Sequence, residues 1–162
     1  MRRVKKTVKR LTVTSYKKHV WKFFSMAIRL RDADNTGFCQ CISSGSRHYY
    51  IKDNMQAGHF LLSRMYPNTR WNFKNVSAQS AYANGTLAGD QYRHGINLNA
   101  KYGYDICSEL FTLGEQPLKE NMQYLDEVKA EAIQIILENA KRKNLWDWKL
   151  LFTKKELKEM GL

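Results

Sequence analysis

Helical periodicity occupies both ends of this chain and leaves only short β-prone runs between them. Across residues 15–31, Val20, Phe24, Ala27 and Ile28 recur at helical spacing, with Lys17, Lys18 and Lys22 interleaved. The pattern predicts an amphipathic helix with one apolar and one basic face. Across residues 118–143, Met122, Leu125, Val128, Ala132, Ile136 and Ala140 mark one side of a long helix whose first task is core packing. Between the two helices, residues 32–37 are turn-rich. Residues 39–42 and 48–51 are β-prone runs able to pair as a hairpin, and residues 57–62 make a further strand. Pro67-Asn68-Thr69 breaks that strand, and a short helix is expected to begin near Ala78. Past the aromatic joint Leu145-Trp146-Asp147-Trp148, Thr153 and Glu156 match a capping box opening a last helix that ends near Gly161. Trp146 and Trp148 either anchor that helix or stack on bases. The fold class is therefore α+β, a small core of two strands and a helix flanked by an N-terminal basic helix and long C-terminal helices.

Charge points to the partner. The 162 residues carry a net charge of +12, and residues 1–31 hold eleven lysines or arginines and no acid. Arg2, Arg3, Lys5, Lys6, Lys9 and Arg10 form a basic arm, residues 1–14, suited to neutralising phosphates with an affinity that falls steeply with salt. A solvated tail without a partner is the alternative. The basic start is not followed by an apolar core of signal-peptide length, and no run approaches the roughly 20 apolar residues of a membrane span. A cytoplasmic protein without a membrane partner is expected. Three cysteines, Cys39, Cys41 and Cys107, have no framework spacing, which agrees with a reducing compartment. Cys107 reads as a buried apolar side chain.

Candidate chemistry rests on His59, Asn75 and Asn84. Phosphodiester hydrolysis needs a neutral imidazole to deprotonate water and a divalent cation to neutralise the developing oxyanion. A histidine and two short amides fit those roles, although a lone histidine is otherwise more often structural. Arg64, Arg70 and Arg93 are candidate phosphate clamps, since a guanidinium binds phosphate bidentately. His94 is either a further phosphate contact or a surface residue, and the surface is favoured.

Several segments carry a family likeness in order. They are Ile28-Arg29-Leu30-Arg31-Asp32-Ala33-Asp34, Cys41-Ile42-Ser43-Ser44-Gly45 and Met55-Gln56-Ala57-Gly58-His59-Phe60. Arg70, Phe73, Asn75-Val76, Gln79, Asn84 and Gly89-Asp90-Gln91-Tyr92 follow. Residues 24–104 thereby resemble the HNH (ββα-metal) endonucleases, and more closely the phage NinG/Rap recombination family of branched-DNA endonucleases. The resemblance implies an HNH-like nuclease domain over residues 15–104, with a helical C-terminal extension, residues 105–162, packed on it. His59 would be the general base, Asn75 the residue tying loop to strand, and Asn84 a ligand for Mg²⁺ or Mn²⁺ through its amide oxygen.

The likeness also has gaps. Such proteins usually hold a structural zinc in two C-x-x-C knuckles, and the corresponding places here are Cys41, Ser44, Ser80 and Ala83. One thiolate cannot assemble a tetrahedral zinc site, so structural zinc is expected to be absent. A rebuilt set of Cys39, Cys41, Cys107 and His48 follows no common zinc spacing. Gly58 stands where many HNH proteins place a second metal ligand, leaving Asp53, Gln56 or Asp90 as substitutes. The implied function is an endonuclease cutting branched or structured DNA in phage recombination, with a homodimer able to cut a junction symmetrically. The alternatives are a zinc-less, catalytically inactive DNA-binding accessory protein in a recombination or replication complex, or an RNA-binding basic protein.

Overall fold

A computed structural model describes residues 12–52, 54–118 and 120–162. The first helix, α1, spans Val13–Asp32 and opens on a reciprocal capping box. Thr12 Oγ1 accepts from Ser15 N while Ser15 Oγ accepts from Thr12 N. Its stripe of Val20, Phe23, Phe24, Ala27, Ile28 and Leu30 is fully buried. The facing half of that core comes from Leu125, Val128, Ala132, Ile136 and Ala140 of the long helix, Met122–Lys143. At about 1.5–3 kcal/mol for each large apolar side chain buried, this helix pair is the main source of stability. One buried cation latches it: Lys143 Nζ donates to the carbonyls of Leu30, Arg31 and Ala33. Those carbonyls lie at the C-terminal end of α1, where the helix has no partners for them and its dipole favours positive charge.

Two antiparallel hairpins lie between the helices in sequence. β1 (Phe38–Gln40) pairs with β2 (Arg47–Tyr49), which is the hairpin expected from sequence, and β3 (Met55–His59) pairs with β4 (Val76–Ser80). The β3–β4 register sets Met55 opposite Ser80 and His59 opposite Val76. Two sequence expectations need correction here. The strand carrying His59 runs two to three residues earlier than residues 57–62. The segment around Ala78 is β4, not the start of a helix, and only Tyr82–Thr86 coils into a single π-helical turn, which holds Asn84.

The reason lies at the end of α1. Arg31 donates to the carbonyls of Val76 and Phe73, Asp32 Oδ2 accepts from Ala78 N, and Ile42 N donates to Ala78 O. The free edge of β4 is thus satisfied by side chains and by a neighbouring loop, so an extended conformation leaves no backbone group stranded.

α2 (Gln91–Tyr102) and α3 (Ile106–Gly114) follow, and with Phe60 and Leu61 their Leu98, Ile106 and Leu110 form a second, smaller apolar cluster. Cys107 is half-buried and donates to Gly95 O. The long helix Met122–Lys143 is α4, and α5 (Lys154–Glu159) starts at the expected capping box of Thr153 and Glu156. Trp148 is fully buried and anchors this end, together with Asp147, which accepts hydrogen bonds from the hydroxyls of Tyr49 and Tyr50. Trp146 stays at the surface beneath Lys149 Nζ, 4.5 Å from its ring centre. The architecture is α+β, and no helix among the described residues is long and apolar enough to cross a membrane.

Candidate functional site

His59 is the last residue of β3, and its ring is fixed from two sides. Nε2 lies 2.9 Å from Arg70 O. A carbonyl can only accept, so the proton sits on Nε2 and the neutral ring keeps its lone pair at Nδ1. The imidazole also stacks on Trp21 of α1, with centroids 5.2 Å apart and planes 13° from parallel. Burial holds its pKa below the ordinary histidine value, the Arg70 charge adds to the lowering, and the Arg70 carbonyl offsets part of it. The ring is therefore neutral at pH 7.

Gly58 admits no side chain because Gln79 lies across it. An added Cβ would overlap Gln79 Oε1 and come within 2.9 Å of its Cβ and Cδ. Gln79 is itself fastened, its Nε2 donating to Ser43 Oγ at 2.6 Å and to Gly89 O at 2.5 Å. Gly58→Ala is expected to cost about 1–3 kcal/mol by forcing that amide off its partners. Urea unfolding checks this, and an unchanged midpoint would mean Gln79 moves aside freely.

Asn84 and His59 line one cleft of about 350 Å³, with Ser63 and Arg64 in the same wall. Asn84 Nδ2 donates to Gln56 Oε1 at 2.8 Å, so the candidate second ligand Gln56 touches it directly. A neighbouring cleft of about 340 Å³ shares His59 and Ser63 and adds Lys18, Trp21 and Arg70. A third, of about 510 Å³, shares Asn84 and Trp21 and adds Ser25, Arg29 and Lys52. These shared residues join the three into one surface around His59, bordered by cations.

Not every expected residue reaches it. Asn75 is fully buried behind the site, joined to Leu61 and Thr69. Arg93 faces Asp90 at 3.8 Å, and neither lines the cleft. Asp53 and the arm residues Arg2, Arg3, Lys5, Lys6, Lys9 and Arg10 lie outside the described residues.

His94 corrects the expectation of a surface residue. It is fully buried on α2 against Phe60, and neither ring nitrogen has a hydrogen-bond partner among the described residues. Burial first, then the charges of Lys101 and His59, drive its pKa down to about 3. Below pH 6.5 the unfolded chain takes up a proton at this position that the folded chain refuses. Stability is therefore expected to fall as pH drops from about 6.5 toward 3, by up to about 1.4 kcal/mol per pH unit. The lowered pKa of His59 acts in the same sense, and Asp32, held at about 2, adds a loss only below about 4. Denaturant melts between pH 7.5 and 5 measure the slope. His94→Leu should flatten it, and an undiminished slope would assign the linkage elsewhere.

The four knuckle positions converge although three lack a thiol. Cys41 Sγ donates to Ser80 Oγ at 3.5 Å and accepts from Ser44 N at 3.4 Å, while Ser80 Oγ accepts from Ala83 N at 3.2 Å. Hydrogen bonds thus tie these four positions together. The rebuilt ligand set does not gather: Cys39 Sγ donates to Arg29 O, Cys107 Sγ to Gly95 O, and no group of three metal-ligating His, Cys, Asp or Glu occurs among the described residues. The family model of the bacteriophage lambda NinG protein matches residues 1–143. The chain belongs to the NinG family. No curated protein and no solved structure matches it. The NinG match takes in every residue of the His59 surface.

Trp21 is a site residue that the sequence does not single out, and Lys18, legible only as part of a basic helix face, lines the same cleft. Trp21 had one legible signal, an aromatic standing among the lysines of a basic helix face, where an apolar stripe has no use for it.

Proposed function

We propose that this NinG-family chain is a metal-dependent DNA endonuclease of the HNH type, acting on branched or structured DNA in phage recombination. The observation that supports this most is the shared cleft of His59 and Asn84, in which the imidazole proton is committed to Arg70 O and Nδ1 keeps its lone pair. His59 takes the proton of the attacking water at Nδ1, and Arg70 O steadies the imidazolium that results. Burial keeps this base neutral at pH 7. Trp21 and the Arg70 carbonyl fix the ring plane, and Asn75 holds the loop that carries Arg70. Arg64, Arg70 and Lys18 bind phosphate oxygens along the strand.

The one free amide oxygen of the cleft among the described residues, Asn84 Oδ1, suits a hard divalent ion. Asn84 commits its Nδ2 to Gln56, which leaves Oδ1 as the atom open to a cation, and Mg²⁺ or Mn²⁺ needs few protein oxygens because it keeps most of its water. When bound there, such an ion supplies the positive charge that neutralises the developing oxyanion. The absent knuckle thiolates favour a second reading, a DNA-binding accessory protein without catalysis. The hydrogen bonds that hold those four positions together weigh against it. The test is cleavage of supercoiled plasmid and of a four-way junction in Mg²⁺ or Mn²⁺, with EDTA as control. Nicked plasmid or resolved junction is expected, and intact DNA under both metals would leave only the accessory reading.

A further inference from the structure

A separate polar cleft, of about 510 Å³, shares no wall residue with the three around His59. Its floor is an ion cluster. The Asp32 carboxylate accepts from Arg31 Nε at 2.8 Å, Arg31 Nη2 at 3.0 Å, Lys101 Nζ at 2.8 Å and Ala78 N at 2.8 Å. Two cations thus face one carboxylate whose oxygens are fully engaged, and one positive charge is left in excess. Lys101 spends one of its three ammonium protons on Asp32. Ser77 lines the same cleft, and its hydroxyl is buried and has no hydrogen-bond partner among the described residues. Gln40, exposed on β1, adds an amide at the wall, and Asp32 is the only acid in the lining among the described residues. Spare donors, an unmatched hydroxyl and a net positive floor call for an anionic ligand with several acceptor oxygens.

We propose that this cleft is a phosphate subsite in which Lys101 and Ser77 donate to the oxygens of a DNA backbone phosphate lying apart from the strand at His59. The occupant rests on the DNA reading given above. The volume takes a phosphodiester together with its sugar. Two phosphate clefts without a common wall let one chain grip two stretches of backbone at once, which a branch offers and a single short duplex offers less readily.

Binding of a four-way junction by the full chain in EDTA, measured across a salt series, tests this without requiring cleavage. Lys101→Ala removes the donor, and Gln40→Glu leaves the ion cluster intact while adding a negative charge to the wall. Both are expected to weaken junction binding at least several-fold, and Lys101→Ala should make the log–log salt slope shallower by about 1. Unchanged affinity in both variants and an unchanged slope would overturn the subsite. A parallel titration with inorganic phosphate, read by NMR at Ser77 and Lys101, separates the sources. A response there combined with undisturbed junction binding would overturn DNA as the occupant in favour of a free phosphate. Absence of cleavage by the unsubstituted chain, with both variants still weakening binding, would count against the nuclease reading alone and uphold the subsite.

Discussion

His59→Ala is expected to slow divalent-ion-dependent cleavage by about 10²–10⁴-fold, the range lost with a general base, while DNA affinity stays within a few-fold. Affinity should survive because the cations bordering the cleft, Lys18, Arg64, Arg70 and Lys52, sit on other elements and do not depend on the imidazole. The fold should survive as well: the ring lies at the end of β3, and its loss removes one hydrogen bond and one stacking contact. The pH profile carries a second signature. A base whose pKa lies below the ordinary histidine value is already deprotonated at neutral pH, so the rate should rise below about pH 6.5 and level off above it. Cleavage by the alanine variant at the original rate would remove His59 from the chemistry. A rate that goes on rising between pH 7 and 8 would assign the proton transfer to another group.

The parts of this fold legible in the sequence are those where one physical signal acts alone. The stripe of α1 and that of α4 need only apolar spacing, and both helices lie where the spacing puts them. The capping box at Thr153 likewise needs only two residues at the right interval. β4 was illegible because Val76-Ser77-Ala78-Gln79-Ser80 is buried along its whole length while carrying three polar residues. Strand recognition relies on alternation between a wet and a dry face, and this strand has no wet face. Its polar groups are tolerated because Gln79 finds Ser43 and Gly89, and because Arg31 and Asp32 satisfy its edge.

His94 failed for a related reason. A histidine next to an arginine at the start of a polar helix looks like surface, and only the packing of Phe60 against α2 puts it inside. Within the site, family spacing brought His59 and Asn84 to one cleft, but it could not supply Trp21, which comes from an element far away in the chain.

Asn75→Ala should be the most destabilising single substitution near the site, at about 3–5 kcal/mol. Asn75 has no exposed surface, and its carboxamide closes the loop between β3 and β4 at both ends. Oδ1 accepts from Leu61 N at 2.7 Å, and Nδ2 donates to Leu61 O at 3.0 Å and to Thr69 O at 3.0 Å. Truncation strands the N–H and the carbonyl of Leu61, each worth about 1–3 kcal/mol when left unpaired, and takes one of two donors from Thr69 O, which keeps Asn72 N. At about 2–4 °C per kcal/mol for a chain of this size, the melting temperature should fall by roughly 10–15 °C. Aspartate is no remedy, since it keeps the shape but replaces the donor with a buried charge facing two carbonyls.

The catalytic consequence follows through the chain itself. Thr69 directly precedes Arg70, whose carbonyl holds His59 Nε2, so a slackened loop frees the imidazole to turn. Assayed cold enough to stay folded, Asn75→Ala should lose turnover while keeping its DNA affinity. A melting temperature within about 2 °C of the original would mean that the carboxamide does not hold the loop. A loss of turnover with no loss of stability would move Asn75 from a positioning role to direct contact with the reacting atoms.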